Sequence, residues 1–140
     1  MDKTTFQIKE EENIVHARSE VREISRSLGF DELDQARIVQ SVSELARNVI
    51  QYASEGTITV EVVVVADRKG LRIKVEDFGP GIPNVQELLM EPKRKHNGET
   101  SGIQQVRMLM DDINIKTLEE GTCVEVIKWL KTSTMLNGKS

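Results

Sequence analysis

Apolar and polar residues alternate along this chain at two periods, and these predict its elements. Residues 4–9 alternate weakly and predict an edge strand. From Ile14 to Leu28, the apolar residues Ile14, Val15, Ala17, Val21, Ile24 and Leu28 recur at helical spacing. Gly29 follows where a helix C-cap is expected. Asp31 is placed to cap a second helix reaching about Ala53, whose apolar stripe runs from Leu33 through Ile38, Val42, Leu45 and Val49. Ser54-Glu55-Gly56 ends it. Residues 57–66 are rich in β-branched side chains and predict a strand. Asp67-Arg68-Lys69-Gly70 reads as the turn of a hairpin. Residues 71–76 alternate strictly, as an antiparallel strand with one buried face does.

Asp77-Phe78-Gly79-Pro80-Gly81-Ile82-Pro83 is punctuated by glycine and proline and reads as a loop. Asn84 can cap a short helix to about Met90. Residues 91–101 have no period and predict a loop. Ile103, Val106, Met108, Leu109 and Met110 predict a helix over 102–112. Strands follow over 113–118 and 122–130, joined by a turn at Glu119-Glu120-Gly121. Residues 132–140 are small and polar and predict a disordered tail. Hairpin-linked strands with helices gathered between them imply one domain over 1–131. Its class is α/β (α+β), a two-layer sandwich with a mixed, mostly antiparallel sheet and helices on one face.

Composition narrows the function classes. The 140 residues carry 19 Lys and Arg against 23 Asp and Glu, a net charge of −4. That balance argues against a general nucleic-acid or membrane surface, which needs a basic patch. No apolar run approaches the ~20 residues of a membrane span. One cysteine, Cys123, excludes an internal disulfide, and two histidines argue against a multi-histidine metal site. A cytoplasmic protein is expected.

Three features stand apart from fold-making. Glu44 and Asn48 lie at i, i+4 on the second helix and share a face. A carboxylate and a carboxamide so placed can hold one Mg²⁺ through oxygen, and the carboxylate can deprotonate a hydroxyl. On a helical wheel both lie roughly opposite the apolar stripe, which also suits a plain solvated face. Asp77, with Gly79 and Gly81, sits at a strand end where a carboxylate can accept from an exocyclic amine such as that of adenine. Gly98-Glu99-Thr100-Ser101-Gly102-Ile103 leads into a helix, whose free N–H groups can seat phosphate.

A helix carrying E-x-x-x-N, a strand ending in D-x-G-x-G and a glycine loop opening a helix, in that order, resemble the GHKL (Bergerat-fold) ATPases. Asp34-Gln35-Ala36-Arg37-Ile38, Ser43 to Asn48, Glu76 to Pro83, Leu109-Met110-Asp111 and Ile127-Lys128-Trp129-Leu130 narrow this to a resemblance with RsbT-like serine/threonine kinases of partner-switching and stressosome pathways. The resemblance implies ATP and Mg²⁺ as cofactors. It implies that Glu44 activates the attacking hydroxyl and that Asn48, with Glu44, holds Mg²⁺. Asp77 would bind the adenine amine, with Gly79, Gly81 and Ile82 along the nucleotide and Thr122, after Gly121, supporting the adenine. Gly98, Thr100, Ser101, Gly102 and Ile103 correspond to the lid, G-x-G-x-G-hydrophobic in the family, with Thr100 in place of the middle glycine. Arg47 would pair with an acidic neighbour or reach a phosphate. Lys93, Arg94, Lys95 and His96 could pair with phosphates or form a solvated loop.

The implied substrate is a serine or threonine of a STAS-domain antagonist or stressosome scaffold protein. The implied output partner is a PP2C-type phosphatase or similar protein. The first helix could support a homodimer. Two alternatives stay open: a weakly active or inactive partner-switching module, and an anti-sigma factor that sequesters a sigma factor. Of the remaining residues, Cys123, Trp129, Met108 and Met110 read as packing residues and His16 as a surface residue.

Overall fold

The computed structural model describes residues 3–77, 102–118 and 121–131. The expected short helix at 84–90, the loop at 91–101 and the tail at 132–140 lie outside these residues. The described elements are β1 (Thr4–Ile8), α1 (Glu11–Leu28), α2 (Glu32–Ala53), β2 (Gly56–Val65), β3 (Arg68–Asp77), α3 (Gly102–Leu109), β4 (Asp112–Leu118) and β5 (Gly121–Trp129).

Local chemistry sets the helix ends. α1 starts three residues before the apolar period does, because Asn13 Oδ1 accepts the N–H groups of Lys9 and Glu10 at 2.9 and 2.8 Å. It stops at Gly29, whose φ of 107° is left-handed. The Gly29 and Phe30 N–H groups turn back to the carbonyls of Arg26 and Ser25. Asp31 caps α2 as expected, its Oδ1 accepting the Asp34 N–H at 2.8 Å.

The five strands form one sheet in the order β1-β2-β3-β5-β4. Every pairing is antiparallel, so among the described residues the sheet is not mixed. The connection from β3 to α3 and β4 carries β4 to the outer edge, and β5 returns into the gap beside β3. The register places Asp77 opposite both Gly56 and Thr122, and Gly70 opposite both Val63 and Trp129. These two rows mark opposite ends of the sheet.

One face of the sheet packs on the helices. Ile58, Val60, Leu71, Ile73 and Val126 meet Ile38, Val42 and Leu45 of α2, Val21 of α1, and Ile103 and Val106 of α3, all buried. Burying one such side chain stabilises the fold by about 1.5–3 kcal/mol, so Ile73→Ala at the centre is expected to cost about 2–5 kcal/mol.

Three expectations change. The β2–β3 turn lies at Ala66 and Asp67, not at 67–70, and Ala66 takes the positive φ, 55°. Gly70 stands inside β3, where a Cβ would come within 2.7 Å of the Lys128 carbonyl oxygen and 2.8 Å of the Trp129 ring. It is a close-approach glycine, not a turn glycine. Cys123 is buried, as a packing residue should be, beside Lys74, Asn114, Lys116 and Glu125 and apart from the main apolar cluster. Met110 packs as expected, whereas Met108 is 79% exposed. His16 is exposed, with an edge-on contact to Phe6. No helix among the described residues is long and apolar enough to cross a membrane.

Candidate nucleotide site

Glu44 and Asn48 share one face of α2, but that face is not simply solvated. Both residues are half-buried, with the Glu44 side chain 19% exposed. The start of α3 covers them. A Cβ on Gly102 would lie 2.8 Å from Glu44 Oε1 and 3.8 Å from Asn48 Nδ2. The wheel counted only the surface that α2 turns to the sheet, and α3 supplies a second one. Glycine at 102 lets the backbone approach the carboxylate closely, and any side chain there would make the Glu44 carboxylate shift.

The other Glu44 oxygen, Oε2, accepts from Gln40 Nε2 at 3.2 Å and from Arg47 Nη1 at 3.3 Å. Arg47 thus takes the first of its two expected roles, pairing with an acidic neighbour. One carboxylate oxygen is anchored along α2, and the other is turned toward the first residue of α3.

The second group of residues stands where β3 ends. Asp77 is 3% exposed. A carboxylate that deep is costly unless its oxygens are hydrogen-bonded. Oδ1 accepts the Thr122 backbone N–H at 3.2 Å. Thr122 is itself buried, and its backbone N–H supplies this bond to Asp77. Gly121, at φ 150°, makes the approach feasible, because a Cβ there would collide with the Asp77 carbonyl oxygen.

Gly56 joins the two groups. A Cβ on it would lie 3.0 Å from Val49 Cγ1 and 3.1 Å from Asp77 Cα. Val49 follows Asn48 on α2, so the Asp77 strand end and the Asn48 turn of the helix meet at the same end of the molecule. Gln40 has no place in the sequence reading, and Gly56 enters it only as part of the Ser54-Glu55-Gly56 break after the second helix. Nothing in the local pattern marks either as part of this site, since each matters there only through a partner distant in the chain or one helical turn away. Ile103 is buried in the core, which leaves only its backbone to face a ligand. Gly79, Gly81, Ile82, Gly98, Thr100, Ser101 and residues 93–96 lie outside the described residues.

The donor set suits magnesium. Glu44 and Asn48 offer hard oxygen donors, and Mg²⁺ is commonly held by one or two such side chains plus the phosphates of its nucleotide. Among the described residues no group of three or more His, Cys, Asp and Glu could form an all-protein metal cage. A cation here would be shared with a ligand.

Comparisons with known proteins show the family. The histidine kinase-like ATPase domain family matches residues 8–128. The chain is 40% identical over 131 residues to serine/threonine-protein kinase RsbT of Bacillus subtilis, covering 93% of this chain and 98% of that protein. It is 32% identical over 115 residues to the anti-sigma F factor of Anoxybacillus flavithermus, covering 76% of each. Among solved structures, the SiaB–SiaC complex of Pseudomonas aeruginosa matches with a TM-score of 0.63 at 8% identity, over 91% of this chain and 89% of that one. The RsbU and RsbW domains of Rv1364c from Mycobacterium tuberculosis match with a TM-score of 0.60 at 20% identity, over 89% of this chain and 32% of that one. At these identities the structures speak for the fold alone. The chain belongs to the histidine kinase-like ATPase domain family, in its RsbT-type serine/threonine-protein kinase branch.

Proposed function

We propose that the chain transfers the terminal phosphoryl group of Mg²⁺–ATP to a serine or threonine of a STAS-domain antagonist or stressosome scaffold protein. Once released, it binds and activates a PP2C-type phosphatase or similar output protein in the cytoplasm. The observation that carries this reading is the close approach of Gly102 to Glu44 and Asn48, at the same end of the molecule as Asp77. A base and a cation ligand are thereby set at a helix start, where unpaired N–H groups favour phosphate.

Each residue then has a role. Asp77, held by the Thr122 N–H, presents its carboxylate to the adenine amine. Asn48, with Glu44, would hold Mg²⁺, which when bound neutralises phosphate charge. Glu44 accepts the proton of the attacking hydroxyl as the new oxygen–phosphorus bond forms and ADP departs. Gln40 and Arg47 orient Glu44 by holding its second oxygen. Positioning supplies most of the rate enhancement in such a transfer. The phosphate added to the partner breaks the complex by desolvation cost and like-charge repulsion with this acidic chain.

The test is labelling of purified cognate STAS protein with radiolabelled ATP and Mg²⁺, with Glu44→Ala as the control. Labelling lost in the variant, at unchanged fold, supports the reading. An absence of labelling on every cognate STAS protein overturns it. A second reading is favoured by the likeness to an anti-sigma F factor. It has the chain sequester a sigma factor directly, and co-purification with a sigma factor and no phosphatase would establish it.

A further inference from the structure

Three sequence segments that the nucleotide site does not use converge at the other end of the fold. They carry Asp34 on α2, Asp111 after α3, and Lys128 on β5. Lys128 is 8% exposed. Its Nζ donates to the Leu109 carbonyl oxygen at 2.9 Å and lies 3.5 Å from Asp111 Oδ1 and 3.7 Å from Asp34 Oδ1. Leu109 is the last residue of α3. A buried ammonium therefore sits on the negative end of that helix, where a cation is favoured.

We propose that Lys128 is a positioning residue for the nucleotide site. It clamps the C-terminal end of α3 to α2 and so fixes the N-terminal end of α3 on Glu44 and Asn48. The proposal rests on the reading that those two residues serve Mg²⁺–ATP.

The geometry makes the lever direct. α3 has eight residues, a rod of about 12 Å. Gly102 at one end abuts Glu44, and Leu109 at the other is bonded to Lys128, which also faces Asp34. Asp34 precedes Glu44 by ten residues on the same helix. The two helices therefore run antiparallel and are tied at both ends. A helix this short is not stable alone, so its place is set by its contacts. Ile103 and Val106 supply apolar contact, which is non-directional. The Lys128 bond and charge pairs define the position along the axis. Asp34 is additionally held by Arg37 Nη1 at 2.8 Å and faced by Lys131 Nζ at 3.8 Å, so it keeps cationic partners without Lys128.

The experiment is calorimetric titration of Mg²⁺–ATP into the full chain and its Lys128→Met variant, well below both melting temperatures, with hydrogen exchange followed at the α3 amides. Methionine keeps the length of the stem and removes the ammonium. The expected result is roughly tenfold weaker nucleotide affinity, with faster exchange in α3 while β2 and α1 keep their protection. Lys128→Arg is expected to restore affinity. Arg72→Met, on the open face of the sheet, is expected to leave it unchanged. Asp34→Asn, which loosens the clamp from the α2 side, is expected to weaken affinity by about threefold and serves where Lys128→Met does not fold. Wild-type affinity in folded Lys128→Met overturns the proposal. If the wild-type chain binds no Mg²⁺–ATP, the nucleotide reading fails, and α3 exchange then decides the clamp: unchanged exchange overturns it.

Discussion

The Thr122 backbone N–H donates to Asp77 Oδ1 at 3.2 Å, across β3 and β5 at the end of the sheet where we propose that the nucleotide binds. This bond holds the carboxylate before a ligand arrives. Asn at 77 can still accept the Thr122 N–H, so Asp77→Asn should fold normally and melt within a few degrees of wild type. Its amide group would oppose the adenine amine, donor against donor. Loss of one buried pairing costs about 1–3 kcal/mol. Mg²⁺–ATP affinity should therefore fall by about tenfold or more, measured by calorimetry. Undiminished affinity would remove Asp77 from the adenine site.

Gly102→Ala separates stability from chemistry. Alanine favours the helix by up to about 1 kcal/mol over glycine. Its Cβ would stand 2.8 Å from Glu44 Oε1, the free end of a side chain that can swing aside. The fold should hold or gain stability while phosphoryl transfer drops by one to two orders of magnitude, roughly, as for other displaced catalytic groups. Thermal melts and partner labelling on the same preparation check both halves. A stable variant of full activity would show that the position of Glu44 does not matter to transfer.

Much of this was legible in the sequence, for reasons that differ by element. β3 was clear because Leu71, Ile73 and Val75 alternate with charged residues and only one face packs. Gly70 was misplaced because a glycine after charged residues looks the same in a turn and beneath a Trp129 ring. The 44–48 pair was recognisable by spacing, but its burial was not, since α3 comes from a segment more than fifty residues away. The Asp34–Lys128 pairing spans still more chain, and no local pattern states which charges a fold will bury together.

The open face of the sheet gives an acid-side prediction. Arg72 donates to Glu61 through Nε at 3.0 Å and Nη2 at 2.6 Å. That hydrogen bond holds the Glu61 carboxyl below its usual value of 4.5. A carboxyl depressed in the folded state contributes stability that is fully present above 4.5 and is lost as pH falls through the folded value. The pair is partly exposed, so its contribution is about 0.2–1 kcal/mol. Denaturant titrations between pH 7 and 3 should show a shallower acid decline in Arg72→Met than in wild type. Parallel declines would mean that the pair contributes nothing measurable.

Cys123 gives the opposite sign on the alkaline side. Burial, with the Glu76 carboxylate as a lesser cause, raises the thiol above its usual 9.0. The thiolate is the reactive form, so native Cys123 should alkylate slowly with iodoacetamide at pH 8 and rapidly once denaturant exposes it. The same shift predicts a stability trend. A thiol whose folded value is raised contributes its full share below 9.0 and loses it as pH climbs through the folded value, because the unfolded chain ionises first. Cys123→Ala removes that titration while leaving the nearby lysines in place. Its stability should decline less steeply than that of wild type between pH 8.5 and 10.5, read by chemical denaturation. Rapid native alkylation at pH 8, with identical alkaline limbs, would show that the thiol is neither shielded nor shifted.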